Sequence, residues 1–324
     1  MTYAIRIHRT GGPEVLTWEP VEVGKPGAGE IRLRQTAVGL NYIDVYHRNG
    51  LYPVRPPAIL GMEAAGVVEE TGPGVTGLTV GDRVAYASPP MGAYAEARLM
   101  PADRVVKVPE NIADRQAAAM MLKGLTAQYL LRRTYRVQPG DTILVHAAAG
   151  GVGLILCQWA KHLGATVIGT VGSDEKAALA RANGCAHPIV YTREDFEARV
   201  KEITAGGKVP VVYDSVGKDT FLKSLDCLRP LGMMVLFGQS SGPVAPLDLG
   251  LLAAKGSLFL TRPTLMTYAA KREDLVAGAQ ELFDVVRSGA VKIRINQTYP
   301  LQDAAQAHRD LEARKTTGST VFIV

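Results

Sequence analysis

Cysteine is scarce: Cys157, Cys185 and Cys227 are odd in number and widely spaced. They can build neither a disulfide framework nor a Cys-x-x-Cys metal site, and each reads as a small buried apolar residue in a reducing compartment. No apolar run approaches the roughly 18–20 residues that a membrane-spanning helix needs. The longest, such as 142–145 and 233–237, are strand-sized, which excludes a membrane as partner. There is no run of lysine or arginine and no RNA-binding aromatic motif. The net charge of +5 therefore argues for an anionic small ligand, such as a phosphorylated cofactor, and against nucleic acid. The N-terminus enters an alternating strand pattern with no leader, so a cytoplasmic address is expected. Internal repeats and low-complexity segments are missing as well.

What is present is enough chain, 324 residues, for about two domains. The first hundred residues are β-rich. Runs at 3–8, 31–38, 66–70, 83–87 and 93–99 are separated by turn signals such as Gly11-Gly12-Pro13 and Gly72-Pro73-Gly74. A helical stretch over 115–132 is expected to break near Gly124. From Pro139-Gly140-Asp141 the pattern changes. Strands at 142–146, 166–171, 188–190, 209–214 and 233–237 alternate with helices at 152–163, 174–183, 193–203 and 218–227. Such alternation predicts an α/β fold with a doubly wound parallel sheet. It stops near residue 262, after which a helix at 272–288, a strand at 294–299, a helix at 301–313 and a strand at 320–324 are expected.

The first strand of the alternating region runs into Ala147-Ala148-Ala149-Gly150-Gly151-Val152-Gly153. As a G-x-G-x-x-G turn it has Ala148 at the first glycine position, but it follows a strand and opens a helix, as phosphate binding requires. Gly150, Gly151 and Val152 present backbone to a pyrophosphate, and Gly153 lets helix and strand approach. About 20 residues further on, a fold preferring NAD carries an acid at the end of its second strand. Here that position is Val171, followed by Gly172, Ser173, Asp174, Glu175 and Lys176. Ser173 reads as an N-cap, which puts both acids in the first helical turn. Lys176, joined by Tyr191 past the third strand, then faces a 2′-phosphate, which predicts NADPH as cofactor.

These residues resemble the medium-chain dehydrogenase/reductase superfamily, and within it the zinc-free quinone oxidoreductases related to ζ-crystallin. The resemblance covers the whole chain. It is carried by 11–16 (Gly-Gly-Pro-Glu-Val-Leu), 39–44 (Gly-Leu-Asn-Tyr-Ile-Asp), 122–127 (Leu-Lys-Gly-Leu-Thr-Ala), 146–153 and 314–318 (Arg-Lys-Thr-Thr-Gly). It implies a GroES-like β-rich catalytic domain built from both termini, 1–122 and 263–324, around a Rossmann domain at 123–262. Zinc-dependent relatives carry cysteine where this chain has Asn41, and Gly-His-Glu where it has Gly61-Met62-Glu63. Leu122-Lys123-Gly124 offers no thiolate either, and the four-cysteine lobe is missing, so no metal is expected.

The resemblance further implies reduction of a quinone by NADPH. Asn41, Tyr46 and Tyr52 are the expected substrate residues, polarising a carbonyl or stacking on a flat ring. A catalytic role for His47 is not favoured. Asn41, Thr126, Tyr129, Ser215, Phe237, Gly238, Ser240 and Arg314 complete the implied nucleotide contacts. Two other readings stay open: reduction of an activated C=C bond in an alkenal or enoyl substrate, and a nucleotide-dependent binding protein with an RNA-binding or structural role. The apolar segment 253–260 reads as an edge strand through which a homodimer would form.

Overall fold

The computed structural model describes all 324 residues, and they divide into two units. The first holds Met1–Leu125, Ala269–Arg287 and Ile293–Val324; the second holds Thr126–Tyr268 and Ser288–Lys292. The chain leaves the first unit after residue 125 rather than 122 and returns after 268 rather than 262, and a short stretch near 290 rejoins the second unit.

The first unit begins with β1 (Thr2–Ile7), β2 (Thr17–Val21), β3 (Glu30–Leu40), α1 (Tyr42–Arg48) and β4 (Ala58–Ile59). β5 (Glu63–Thr71), β6 (Arg83–Ala87), β7 (Ala97–Pro101) and β8 (Val106–Lys107) follow, then α2 (Asp114–Tyr129). The β7 strand starts later than the expected run at 93–99, and only a single bridge, Ala4 to Ala95, precedes it. α2 is continuous through Gly124, contrary to the break expected there. A Cβ at 124 would lie 2.5 Å from Leu282 Cδ1, so this glycine serves close packing rather than interruption.

The second unit alternates strand and helix: β9 (Thr142–Val145), α3 (Gly151–His162), β10 (Thr166–Val171), α4 (Asp174–Ala182), β11 (His187–Val190), α5 (Phe196–Ile203), β12 (Val209–Asp214), α6 (Phe221–Asp226) and β13 (Leu228–Leu236). α7 (Gly250–Ala254), β14 (Phe259–Thr261) and α8 (Leu265–Tyr268) close it. Its six strands pair in parallel in the order β11-β10-β9-β12-β13-β14. That is the 3-2-1-4-5-6 order of a doubly wound dinucleotide fold, with the switch point between β9 and β12. Every residue of β12 is buried, as expected for a strand covered on both faces. The expected edge strand at 253–260 is not continuous. α7 covers its start, Gly256 and Ser257 take positive φ (107° and 55°), and only 259–261 are strand.

The chain then returns to the first unit with α9 (Arg272–Arg287), β15 (Ile295–Pro300), α10 (Ala304–Glu312) and β16 (Ser319–Ile323). On α9, Leu275, Gly278, Ala279, Leu282, Phe283 and Val286 are buried, a helical stripe at i, i+3, i+4 and i+7 spacing. β16 pairs antiparallel with β3, Val321 opposite Gly39, so the last strand completes the sheet that the first forty residues began.

Candidate active site

In the second unit the turn after β9 is held by its own backbone. Gly150 is the N-cap of α3; its N–H donates to Ala147 O (2.9 Å), and Ala148 N–H donates to Thr170 O (3.0 Å). Ala147 has φ 53°, a left-handed conformation that the sequence did not reveal. A Cβ at Gly153 would sit 2.3 Å from Ala147 O, so only glycine lets α3 start this close to β9. Ala148, at the first glycine position, is accommodated from β10. A Cβ on Gly169 would meet the Ala148 methyl at 2.6 Å, so the neighbouring strand gives up the side chain instead. The turn thus presents free helix N-terminal amides and a dipole suited to a pyrophosphate.

At the ends of β10 and β11, Ser173 caps α4 and accepts from Lys176 N (3.3 Å). A Cβ at Gly172 would lie 3.0 Å from the Tyr191 hydroxyl, which places Tyr191 beside Gly172, while Lys176 stands in the first turn of the helix that Ser173 caps. Asp174 is turned away into an exposed bidentate pair with Arg193 (2.6 and 2.5 Å), whose hydrogen bonds hold its carboxyl below the usual range. It is therefore already partnered within the protein.

After β12, the buried Asp214 organises the loop carrying Ser215. Its Oδ1 accepts from Val216 N (2.7 Å) and Gly217 N (3.1 Å), and its Oδ2 from Thr220 Oγ1 (2.7 Å). Ser240 N donates to Ser215 O (3.1 Å), and a Cβ at Gly238 would stand 2.8 Å from the same oxygen. Phe237 N donates to Asp214 O (2.8 Å), so Ser215, Phe237, Gly238 and Ser240 meet at one strand end. Asp214 was missed because a lone acid at a strand end carries no motif. Thr126 and Tyr129 are buried on the last turns of α2, with Tyr129 stacked on Tyr268 (centroids 4.4 Å apart).

In the first unit, Asn41 is the N-cap of α1, and Tyr46 lies within that helix rather than in a loop. Tyr46 is buried and contacts Tyr42 (5.4 Å) and Tyr52 (5.1 Å), forming a three-tyrosine wall with Tyr52 half-buried. Burial pushes the Tyr42 hydroxyl up and the neighbouring His47 down. Arg314 lies in this unit, just past α10. The Asn41 amide group donates to Glu63 Oε2 (2.8 Å) and more weakly to Gly39 O (3.4 Å), so both of its hydrogens have acceptors within the protein. Glu63 Oε2 also accepts from Lys123 Nζ (3.1 Å), and its Oε1 accepts from Leu122 N (2.7 Å). Glu63 and Lys123 form an ion pair that is 0% and 7% exposed at the side chains, which no sequence spacing predicts.

The parallel sheet, its glycine cradle and the β-rich unit completed by both termini define a nicotinamide-nucleotide oxidoreductase of the medium-chain type. Residues 27–110 match the alcohol dehydrogenase GroES-like domain and 151–279 the zinc-binding dehydrogenase domain. The chain is 54% identical to a quinone oxidoreductase of Pseudomonas aeruginosa, with all of both chains covered. It is 51% identical to a 2-haloacrylate reductase of Burkholderia, covering 100% of this chain and 99% of that one. A crystal structure of Escherichia coli quinone oxidoreductase complexed with NADPH superposes with a TM-score of 0.98 at 50% identity over the full length of both. The chain belongs to the quinone oxidoreductase family of the medium-chain dehydrogenase/reductase superfamily.

The match to zinc-binding dehydrogenases raises the question of a metal, and the donors do not fit one. Both oxygens of Glu63 are taken up, one of them by an ammonium, and beside it stands an amide rather than a thiolate or imidazole. No cluster of three or more His, Cys, Asp or Glu side chains exists that could hold a metal ion.

Proposed function

We propose that this protein reduces quinones with NADPH and without a metal. The observation that carries the cofactor reading is the end of β10, where Val171 stands in place of an acid, the Tyr191 hydroxyl lies beside Gly172, and Ser173 caps the helix that carries Lys176. Gly150, Gly151, Val152 and Gly153 hold the pyrophosphate through backbone amides; Ser173, Lys176 and Tyr191 hold the 2′-phosphate. Thr126, Tyr129, Ser215, Phe237, Gly238, Ser240 and Arg314 complete the nucleotide contacts. NADPH, when bound, supplies the hydride. A quinone is electron-poor enough to accept it without a Lewis acid, whereas alcohol oxidation would need one to stabilise the alkoxide. Tyr46 and Tyr52 line the ring site. Asn41, with its amide hydrogens directed to Glu63 and Gly39, shapes the turn that leads into them.

The test is a steady-state panel in chelating buffer: NADPH or NADH against benzoquinone, naphthoquinones, 2-alkenals and 2-haloacrylate. NADPH is expected to exceed NADH by at least about tenfold in kcat/KM, since one charge-assisted hydrogen bond to phosphate contributes roughly 1.5–3 kcal/mol. Lys176→Ala is expected to raise KM for NADPH about tenfold and leave NADH unchanged. An equal effect on both cofactors would make the lysine structural. The likeness to a 2-haloacrylate reductase favours C=C reduction as the second reading. Turnover of haloacrylate but not naphthoquinone would establish it.

A homodimer is proposed through the open edge of the second unit's sheet. β14 ends that sheet and exposes Phe259 (56%) and Leu260 (38%), an unpaired apolar edge of the kind that associates about a two-fold axis. Light scattering is expected to give twice the chain mass of 34.6 kDa at micromolar concentration. A monomer mass would overturn the proposal.

A further inference from the structure

Asp44 lies in the first turn of α1 and is 0% exposed. Its Oδ2 accepts from Asn41 N (2.9 Å) and Tyr94 Oη (3.0 Å), while its buried Oδ1 has no partner. The direction of the hydrogen bonds behind Tyr94 is fixed by chemistry. Arginine only donates, so His308 Nδ1 accepts from Arg48 (3.0 Å), its proton sits on Nε2, and Nε2–H donates to Tyr94 Oη (3.0 Å). The hydrogen of Tyr94 is thereby directed at Asp44.

No cation closes on Asp44 from either side. Arg48 is held in a bidentate pair with Glu312 (2.8 Å to each oxygen). His308 is kept neutral, burial and Arg48 pushing it down to about 3. Lys123 is bound to Glu63. The groups that act on Asp44 are therefore Asn41, Tyr94, Lys123 and Glu63, with His308 and Arg48 behind Tyr94. Two buried carboxylates share one buried ammonium, so the cluster is electrically balanced only when it also holds a proton. An unpaired buried O–H costs less than a buried anion that has two hydrogen bonds but no cation of its own.

We propose that Asp44 carries a proton on Oδ1 on the acid side of neutral pH and acts as a positioning residue for quinone reduction, keeping the Asn41 turn and the Glu63–Lys123 pair in place until that proton is lost. Burial, the largest influence, pushes the Asp44 carboxyl up to about 7. Ionisation would place a second negative charge beside Glu63, draw Lys123 between the two carboxylates and disturb the amide that Asn41 directs to Glu63. Because the folded protein holds this proton more tightly than the unfolded chain, the stability it contributes is full below about pH 4. That contribution fades as pH rises through about 7.

The kinetic part of this inference rests on the quinone reductase reading; the spectroscopic part does not. Infrared difference spectra of the full chain against Asp44→Asn are expected to show a carboxylic-acid C=O band at about pH 6 that is gone by about pH 9. With a naphthoquinone, kcat/KM of the wild type is expected to fall at least about fivefold between about pH 6.5 and about pH 8.5, through KM for the quinone rather than for NADPH. Asp44→Asn is expected to vary less than about twofold over that range. Tyr94→Phe removes one donor from Oδ2, so it is expected to shift both the band and the activity loss to higher pH. It also decides the matter should Asp44→Asn fail to fold. An Asp44 ionised throughout, or an unchanged pH profile in a folded Asp44→Asn or Tyr94→Phe, would overturn the proposal. Failure to reduce any quinone would overturn the functional reading instead, leaving the band to decide the proton.

Discussion

Glu63→Gln is expected to destabilise the first unit by about 3–5 kcal/mol, because it takes from the buried Lys123 ammonium the carboxylate bonded to it, and only the more distant Asp44, once it gives up its proton, can balance the charge. A domain has only about 5–15 kcal/mol to lose, and at about 2–4 °C per kcal/mol the melting temperature should drop by roughly 10 °C. Glutamine keeps the shape and an acceptor for Leu122 N, so the loss reports charge rather than packing. Lys123→Met, leaving the carboxylate alone, should cost a similar amount. The double variant Glu63→Gln, Lys123→Met should recover much of it, with a coupling of about 2–3 kcal/mol in urea unfolding. Buried ion pairs are not stabilising in general, but breaking one from a single side is costly. Additive single effects would show that the two side chains do not depend on each other. Activity should fall with stability in Glu63→Gln, because Asn41 then loses its anionic acceptor.

The same pair shows where the sequence stops being legible. The alternation from residue 142 onward yields the parallel sheet, because the strands β9 to β12 are short and each is followed within about ten residues by a helix. The glycine cradle and Ser173 cap were readable for a related reason: their partners lie within a few residues. Glu63 and Lys123 are sixty residues apart, Asp44 and Tyr94 fifty, Arg48 and His308 two hundred and sixty. No spacing rule reaches across such gaps, so nothing in the amino-acid order marks these residues as one polar network. The errors of element follow a different cause. Glycine disfavours helix, which is why a break is expected at Gly124, but the approach of Leu282 outweighs that preference of about 1 kcal/mol. At 253–260 apolar composition suggested strand, and two positive-φ residues shortened it to three positions. Ala148 in place of glycine departs from the G-x-G-x-x-G pattern, and what accommodates it, Gly169, stands on another strand.

Gly153→Val is expected to weaken NADPH binding at least about a hundredfold, or about 2.7 kcal/mol. The atoms that a Cβ would strike are backbone: Ala147 O at 2.3 Å, and Ala148 C and Cα at 2.8 Å. None is the movable end of a side chain. Ala147 is already in the left-handed region and Ala148 N is tied to Thr170 O, so the turn has little freedom to retreat. The start of α3 must move instead, which takes its N-terminal amides away from the phosphate position and opens the packing of helix on strand. Overpacking of this kind costs typically about 1–3 kcal/mol of stability, so the melting temperature should fall by several degrees as well. Gly150→Ala separates the two effects. Its Cβ would stand 3.2 Å from Ala147 O and its φ is −79°, which alanine adopts readily, so the fold should be nearly unaffected. Gly150 is the N-cap of α3, where the proposed pyrophosphate contact is made, so a methyl there should still lower NADPH affinity. Calorimetric titration with NADPH, read beside thermal melts, decides the matter. Wild-type affinity in Gly153→Val would remove the turn after β9 from the cofactor site; affinity loss in Gly153→Val with none in Gly150→Ala would confine its role to helix packing.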